Sequence, residues 1–327
     1  MDINQNIPLF ITKVIGKLES AGFEAQIVGG SVRDLFLGSI PKDWDINTNA
    51  TPEEILAVFP NSFYENSFGT VGLKIDTVTH ETIAHGESSE NLIIVEVTPY
   101  RVEGKYLDGR RPSTVTFVKS LEDDLKRRDF TVNSASYNPL KGHLYLLDFD
   151  YKVRTFTEIN SIKDIIKDIK VSNEVGIKDT FFVKDILSKT IRAVGSAAER
   201  FGEDYLRMLR AVRLAAQLGF SIEKETERAI IERSSMISNM SAERIRDEIM
   251  KIVSSETPMI GFLLLQYTGL LKYIMPELLL GVGMRQTENH AYDVYGHLLR
   301  SMQHAADKGY DIDLRLAALL HDIAKPH

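Results

Sequence analysis

The chain has 327 residues, enough for two or three domains with ample core. Its 43% hydrophobic and 26% charged residues exclude disorder as the default, and 39 basic against 46 acidic side chains argue against a surface that binds nucleic acid everywhere while leaving room for a local basic channel. Cysteine is absent, which removes disulfides, thiolate metal sites and a cysteine nucleophile, and leaves any metal to oxygen or imidazole ligands.

Helical spacing of Leu9, Phe10, Val14, Ile15 and Leu18 predicts an amphipathic helix ended by Gly22, without the basic start and unbroken apolar block of a signal peptide. No stretch approaches the ~18 apolar residues of a membrane span, so no membrane partner is expected, and the cysteine-free composition fits a cytoplasmic location. AQIVGG (25–30) reads as a strand running into a glycine pair, and SVRDLFLG (31–38) as a short helix with Ser31 and Asp34 in capping-box spacing. KDWDIN (42–47) alternates as a strand does, TPEEILAVF (51–59) opens a capped helix, and FGTVGLKI (68–75) and NLIIVEVTPY (91–100) carry β-branched strand content. This half is α+β. From about residue 184 the period is helical: residues 203–220 place Tyr205, Met208, Leu209, Val212 and Ala216 on one stripe, and 241–253 (capped by Ser241), 261–274 and 313–324 continue the array. Residues 151–183 mix charge and short apolar clusters with no clear period.

The sharpest chemical feature is Asp43-Trp44-Asp45. A period of two puts both carboxylates on one strand face and Trp44 and Ile46 on the other. Two adjacent carboxylates repel, and a hard cation such as magnesium relieves the repulsion; a solvated strand edge is the plain alternative. Gly29, Gly30 and Ser31 follow a strand and open a helix, where backbone N–H groups can bind phosphate oxygens. The segment lacks both the P-loop lysine and the three-glycine dinucleotide pattern. A phosphate cradle shortly before a carboxylate pair points to metal-dependent phosphoryl or nucleotidyl transfer.

Glu96 lies in the apolar run IIVEV, where an ionised carboxylate needs a metal or an ion pair. Arg128, Asp129 and Asn133 could grip phosphate and ribose, or could belong to a solvated charged surface. Asp204 and Arg207 are neighbours at i, i+3, with Arg210 and Arg213 continuing by threes; a salt-bridged outer face is the plain reading. A carboxylate acceptor beside an arginine donor matches the pairing edges of cytosine and adenine and mismatches those of uracil and guanine. Near the C-terminus, His297, His321 and Asp322 could form a weak second metal site, or simply pack at a helix end.

The order of IVGGSVRDLFLGSIPKDWDINT (27–48), VEVTPYR (95–101), DGRRP (108–112), LEDDLKRRDFTVNSASYNP (121–139), IRAVGSAAERFGEDYLRMLRAVRLAAQLGF (191–220) and SAERIRDEIMKI (241–252) resembles the bacterial, class II CCA-adding tRNA nucleotidyltransferase and poly(A) polymerase family. The resemblance implies a polymerase-β-like head with a small mixed sheet (1–198, carrying an atypical 151–183 insertion), a helical nucleotide-selecting and RNA-binding neck (199–257) and a helical body (258–327). It implies Asp43 and Asp45 as magnesium ligands, with Glu96 as the family's strand carboxylate. It places Gly30 and Arg33 at the triphosphate, Arg128 and Asp129 at phosphate and ribose, Asp204 and Arg207 at the incoming base, and Arg210 and Arg213 in support.

The implied reaction is template-independent, two-metal addition of CTP or ATP to the 3′ end of tRNA with release of pyrophosphate. Poly(A) synthesis, partial CC or A addition, a non-catalytic RNA-binding role and phosphohydrolysis are the alternatives, and the oligomeric state stays open. The DGRRP loop, with its flanking YRVEGKYL, could assist a switch from CTP to ATP, a choice that loop composition leaves open. ALLHDIAKP resembles the start of an HD phosphohydrolase domain; without that domain's later aspartate no hydrolase activity is expected, and without the family's tail weaker grip on full-length tRNA is expected.

Overall fold

A computed structural model of the chain describes residues 3–64, 69–83, 91–104, 114–159, 170–171, 175–285 and 291–326. The described residues form two compact units that meet in sequence between Ser188 and Lys189, ten residues before the head boundary expected at 198.

The first unit is built on an eight-stranded sheet, larger than the small sheet expected. Its strands are β1 (Ala25–Val28), β2 (Trp44–Thr48), β3 (Phe63–Tyr64), β4 (Val71–Asp76), β5 (Leu92–Pro99), β8 (Ala135–Asn138), β9 (His143–Leu147) and β10 (Val153–Phe156), in the order β10-β9-β8-β1-β2-β5-β4-β3. A separate ribbon pairs β6 (Arg101–Glu103) with β7 (Val115–Phe117). The sheet is mixed because β2 and β5 run parallel while the other neighbours are antiparallel. β2 shows how period two sorts its residues: Trp44, Ile46 and Thr48 are buried in register with Val95, Val97 and Pro99, and Asp45 and Asn47 take the opposite face with Glu96 and Thr98.

The first helix runs Leu9–Ser20 and buries Phe10, Ile11, Val14, Ile15 and Leu18, whereas Leu9, expected on that stripe, is 56% exposed. Thr51 and Glu54 close a full capping box on Pro52–Val58. No such box forms on Gly30–Phe36, whose N-cap is Gly29; Ser31 bonds elsewhere and Asp34 pairs with Arg33. Phe36 on that helix packs edge-on against Tyr137 of β8 and Phe182 of the helix Phe181–Leu187. Within the unassigned stretch 151–183 the described elements are β10, the pair Lys170–Val171 with Val175–Gly176, a 3-10 turn over Ile177–Asp179, and the start of that helix. Residues 160–169 and 172–174, and the DGRRP loop, lie outside the described residues.

The second unit is helical apart from a two-residue parallel pairing of Thr190–Ile191 with Ser221–Ile222. The helix expected from Glu203 starts only at Leu206 and runs to Leu218, because Asp204 adopts an extended conformation that separates it from the preceding helix Ala197–Glu203. Leu206–Leu218 ends at Gly219 with φ +65°, a left-handed cap that glycine adopts without steric penalty. A side chain at Gly261 would collide with Ile252 and crowd Ala216, so this glycine lets Pro258–Tyr267 approach Ala242–Val253 and Leu206–Leu218 closely. Gly269, at φ +78°, divides the run expected as one helix over 261–274. The last helices are Val294–Asp307 and Ile312–Leu320, the latter stopping just before His321.

Candidate active site

In the first unit the acidic residues are presented by β2 and β5. Asp45 and Glu96 are register partners across the parallel pair and both are half-buried; Asp43, one residue before β2, is exposed. Strand alternation thus brings two of the expected carboxylates onto neighbouring strands at the same level, with the third just upstream. Ser31 ties this strand to the glycine turn. Its buried hydroxyl donates to the Asp43 carbonyl at 3.0 Å and accepts the Asp45 N–H at 3.3 Å. Ser31, expected as a nucleotide contact, fixes the backbone on both sides of Trp44.

Gly29, at φ +72°, turns the chain from β1 into the helix Gly30–Phe36. A Cβ there would stand 2.9 Å from Nη1 of Arg128, so the missing side chain lets the Arg128 guanidinium lie against the turn. Arg33 bonds Asp34 through Nε at 2.8 Å and Nη2 at 2.7 Å, and reaches Asn133 Oδ1 through Nη1 at 2.6 Å. Arg33, Asn133, Arg128 and the glycines therefore gather at one place. Asp129 Oδ1 accepts the N–H of Phe130 at 2.9 Å.

Behind this cluster sits Asp124, fully buried on the short helix Leu121–Lys126 and absent from the expected site. Its Oδ2 accepts from Arg128 Nη2 at 3.1 Å and from Asn47 Nδ2 at 3.2 Å; its Oδ1 accepts from Arg127 Nε at 2.9 Å and Nη2 at 2.7 Å. Arg127 Nη1 continues to Glu103 at 3.1 Å. Burial alone would push the Asp124 carboxyl up, but Arg128 and Arg127, with hydrogen bonds from Arg127 and Asn47, hold it down at about 2. One carboxylate thereby couples the strand carrying Asp45 to the arginine lying on Gly29. Arg128 Nε is buried and has no hydrogen-bond partner among the described residues, leaving a donor for an added acceptor. The signal for Asp124 was present in the sequence: it precedes Arg127 by three residues and Arg128 by four.

In the second unit the expected ridge is not one face. Steps of three drift by about 60° each on a helix of 3.6 residues per turn, so Arg213 points about 120° away from Arg207, and Asp204 lies outside the helix altogether. Arg213 bonds Glu248 of the helix Ala242–Val253 at 3.1 Å, which makes it a strut between two helices. Arg207 is buried, held by the carboxylate of Glu203 and by the Arg200 carbonyl at 3.2 Å. Asp204 accepts Leu206 N–H at 3.0 Å on Oδ1 and Arg244 Nη2 at 2.9 Å on Oδ2. Arg210 is half-buried on the same helix. Sequence reading missed Glu203, Arg244 and Glu248, since two of these partners come from a distant helix.

His297, His321 and Asp322 come together, with ligand-type atoms all within 4.8 Å of one another. The two Nε2 atoms are 3.0 Å apart, and Asp322 Oδ2 lies 3.5 Å from His297, 3.2 Å from His321 and 2.6 Å from Lys325 Nζ. The Lys325 hydrogen bond foremost holds the Asp322 carboxyl below the usual range, with His321 and His297 contributing. Among the described residues this is the one group of three such side chains this close; Asp43, Asp45 and Glu96 share their region of the sheet without closing to that distance. No described helix is long and apolar enough to cross a membrane.

Residues 25–152 match the poly A polymerase head domain, and residues 219–280 match the probable RNA- and SrmB-binding site of polymerase A. A CCA-adding enzyme of Leuconostoc mesenteroides is 39% identical over 240 residues, covering 73% of this chain and 48% of that protein. One from Geobacillus thermodenitrificans is 38% identical over 263 residues, covering 80% and 53%. The chain thus spans about half the length of these relatives. The crystal structure of the Bacillus stearothermophilus CCA-adding enzyme in complex with CTP superimposes with a TM-score of 0.60 at 28% identity, over 94% of this chain and 64% of that one. A tRNA nucleotidyltransferase complexed with a primer tRNA and an incoming ATP analog shares the fold at 21% identity, with a TM-score of 0.61. Matches to both the head and the RNA-binding segment, together with the order of motifs along the chain, settle the relationship: this protein belongs to the family of CCA-adding tRNA nucleotidyltransferases and poly(A) polymerases.

Proposed function

We propose that the chain is a template-independent nucleotidyltransferase that adds CTP and ATP to the 3′ end of tRNA. The observation that carries this reading is the placement of Asp45 beside Glu96 on parallel strands, with Ser31 and Asp124 linking that strand to the glycine turn and Arg128. In this reading Asp43 and Asp45, hard oxygen donors, hold magnesium, and Glu96 completes the acidic face. Two bound ions would acidify the RNA 3′-hydroxyl and neutralise charge on the departing pyrophosphate.

The chain's own groups do the rest. Arg128 and Arg33 orient the triphosphate beside Gly29 and Gly30, and Asp129 and Asn133 bind ribose. Asp204 accepts from the exocyclic amino group of cytosine or adenine, and Arg207 donates to the ring nitrogen. Arg210 supports the nucleotide; Arg213 supports it indirectly, by bracing the helix. The head, neck and body divisions at 1–198, 199–257 and 258–327 describe these tasks, in a cytoplasmic setting.

Asp43→Ala and Asp45→Ala should each lower magnesium-dependent pyrophosphate release with a tRNA acceptor by at least about a hundredfold, without loss of fold. Activity close to that of the parent at saturating magnesium would end the assignment. Supplying tRNAs that lack one, two or three terminal nucleotides, with an oligoadenylate beside them, separates CCA addition from CC, A or poly(A) addition by product length.

The grouping of His297, His321 and Asp322 favours a second reading for the C-terminal region: a divalent-cation site. Imidazole and carboxylate donors suit manganese, nickel or zinc better than magnesium. Calorimetric titration with manganese should show one additional binding event that disappears in His321→Ala; an identical titration of that variant removes the site.

A further inference from the structure

Asp204 and Arg207 must act together if they read a base, yet each is anchored by a group outside the pair. Arg207 is gripped by Glu203 and the Arg200 carbonyl, both on the helix just before the break. Asp204 is gripped from another element, by Arg244 near the start of the helix Ala242–Val253. We propose that Arg244 is a positioning residue that sets nucleotide selectivity by fixing the orientation of the Asp204 carboxylate; the inference rests on Asp204 reading the incoming base.

The physical reason is rotation about the last bond of the aspartate. That torsion is broad and roughly two-fold, and Asp204 lies in an extended break between two helices rather than inside one. The Leu206 N–H holds Oδ1 and the Arg244 guanidinium holds Oδ2, at 3.0 and 2.9 Å. An ionised carboxylate offers about four acceptor sites, so these two contacts stop the rotation and still leave an acceptor on each oxygen. A fixed acceptor rewards the amino group of cytosine or adenine and leaves the carbonyl of uracil or guanine facing another acceptor. A carboxylate free to turn can move away from that clash, and selectivity falls.

Arg244 is also separable from the packing of its helix. Its side chain remains 32% exposed, whereas the buried bond between Arg213 and Glu248 braces the same two helices further along. Loss of Arg244 should therefore change discrimination more than folding, and loss of Glu248 the reverse.

The test measures kcat/KM for CTP and ATP against UTP and GTP on tRNA acceptors, with the melting temperature of every variant. Arg244→Ala should lower the ratio of correct to incorrect nucleotide by about tenfold, the size expected for one charge-assisted hydrogen bond. Arg244→Lys should retain most of the ratio. Glu248→Gln should lower the melting temperature and leave the ratio alone. In an Asp204→Ala background, Arg244→Ala should change nothing further. An unaltered ratio in Arg244→Ala, where Asp204→Ala collapses it, overturns the role of Arg244 alone. An unaltered ratio in Asp204→Ala overturns the underlying base reading. If Arg244→Ala does not fold, Arg244→Gln carries the same comparison, and selectivity equal to the parent there is equally decisive against the proposal.

Discussion

The two units carry their candidate groups in different ways. In the first, they stand on adjacent strands and the turn beside them. Register does the positioning: once β2 pairs with β5, Asp45 must lie beside Glu96, and a slip of one residue would send Asp45 to the face opposite Glu96. In the second unit Asp204 sits in a helix break and Arg207 just beyond it, and each takes its orientation from a side-chain partner. A sheet face therefore tolerates the loss of one side-chain contact better than a helix break does, unless that contact is the one joining several elements.

Asp124 is that contact, and replacing it is the strongest way to break the comparison. Asp124→Asn keeps the shape but removes the counter-charge from half-buried Arg128 and leaves half-buried Arg127 its ion pair with Glu103. It should cost about 3 kcal/mol in urea unfolding and raise the KM for nucleotide as Arg128 loosens from Gly29. The pH dependence carries a sign. A carboxyl held at about 2, below its unfolded value, stabilises the fold by roughly 2 kcal/mol above about pH 4. That contribution is lost as pH falls toward 2. The stability gap between parent and variant should thus be constant from neutral pH to about pH 5 and narrow in acid; a gap that stays constant below about pH 3 would mean that Asp124 is not the ionised hub described here.

The legible parts of the sequence were those governed by a short period. Alternation around Trp44 identified the strand and the side on which Asp45 lies, and the helical stripe identified Phe10, Val14, Ile15 and Leu18 as buried. Leu9 failed because, nine residues before Leu18, it lies on the opposite side of the helix. Partners distant in sequence were not legible. Asn47 reaches Asp124 across 77 positions, and Arg244 reaches Asp204 across 40. The arginine ridge misled for a geometric reason, since residues three apart adjoin one another but Arg207, Arg210 and Arg213 in succession turn about 120° round the helix, and Asp204 stands before it.

Caps give the smallest test of the same contrast, because there a local pattern is honoured at one site and ignored at another. Thr51 opens Pro52–Val58 with both hydrogen bonds of a capping box, its Oγ1 accepting from Glu54 N at 3.3 Å and Glu54 Oε2 accepting from Thr51 N at 2.7 Å. Ser241 occupies the equivalent position before Ala242–Val253 and makes no side-chain capping bond. Thr51→Ala should therefore cost about 1 kcal/mol, and Ser241→Ala within about 0.5 kcal/mol of nothing. Equal losses in denaturant titrations of the two variants would show that Ser241 caps its helix in solution. The second helix would then start as firmly as the first, and the hold of Arg244 on Asp204 would rest on a helix end fixed by its own cap.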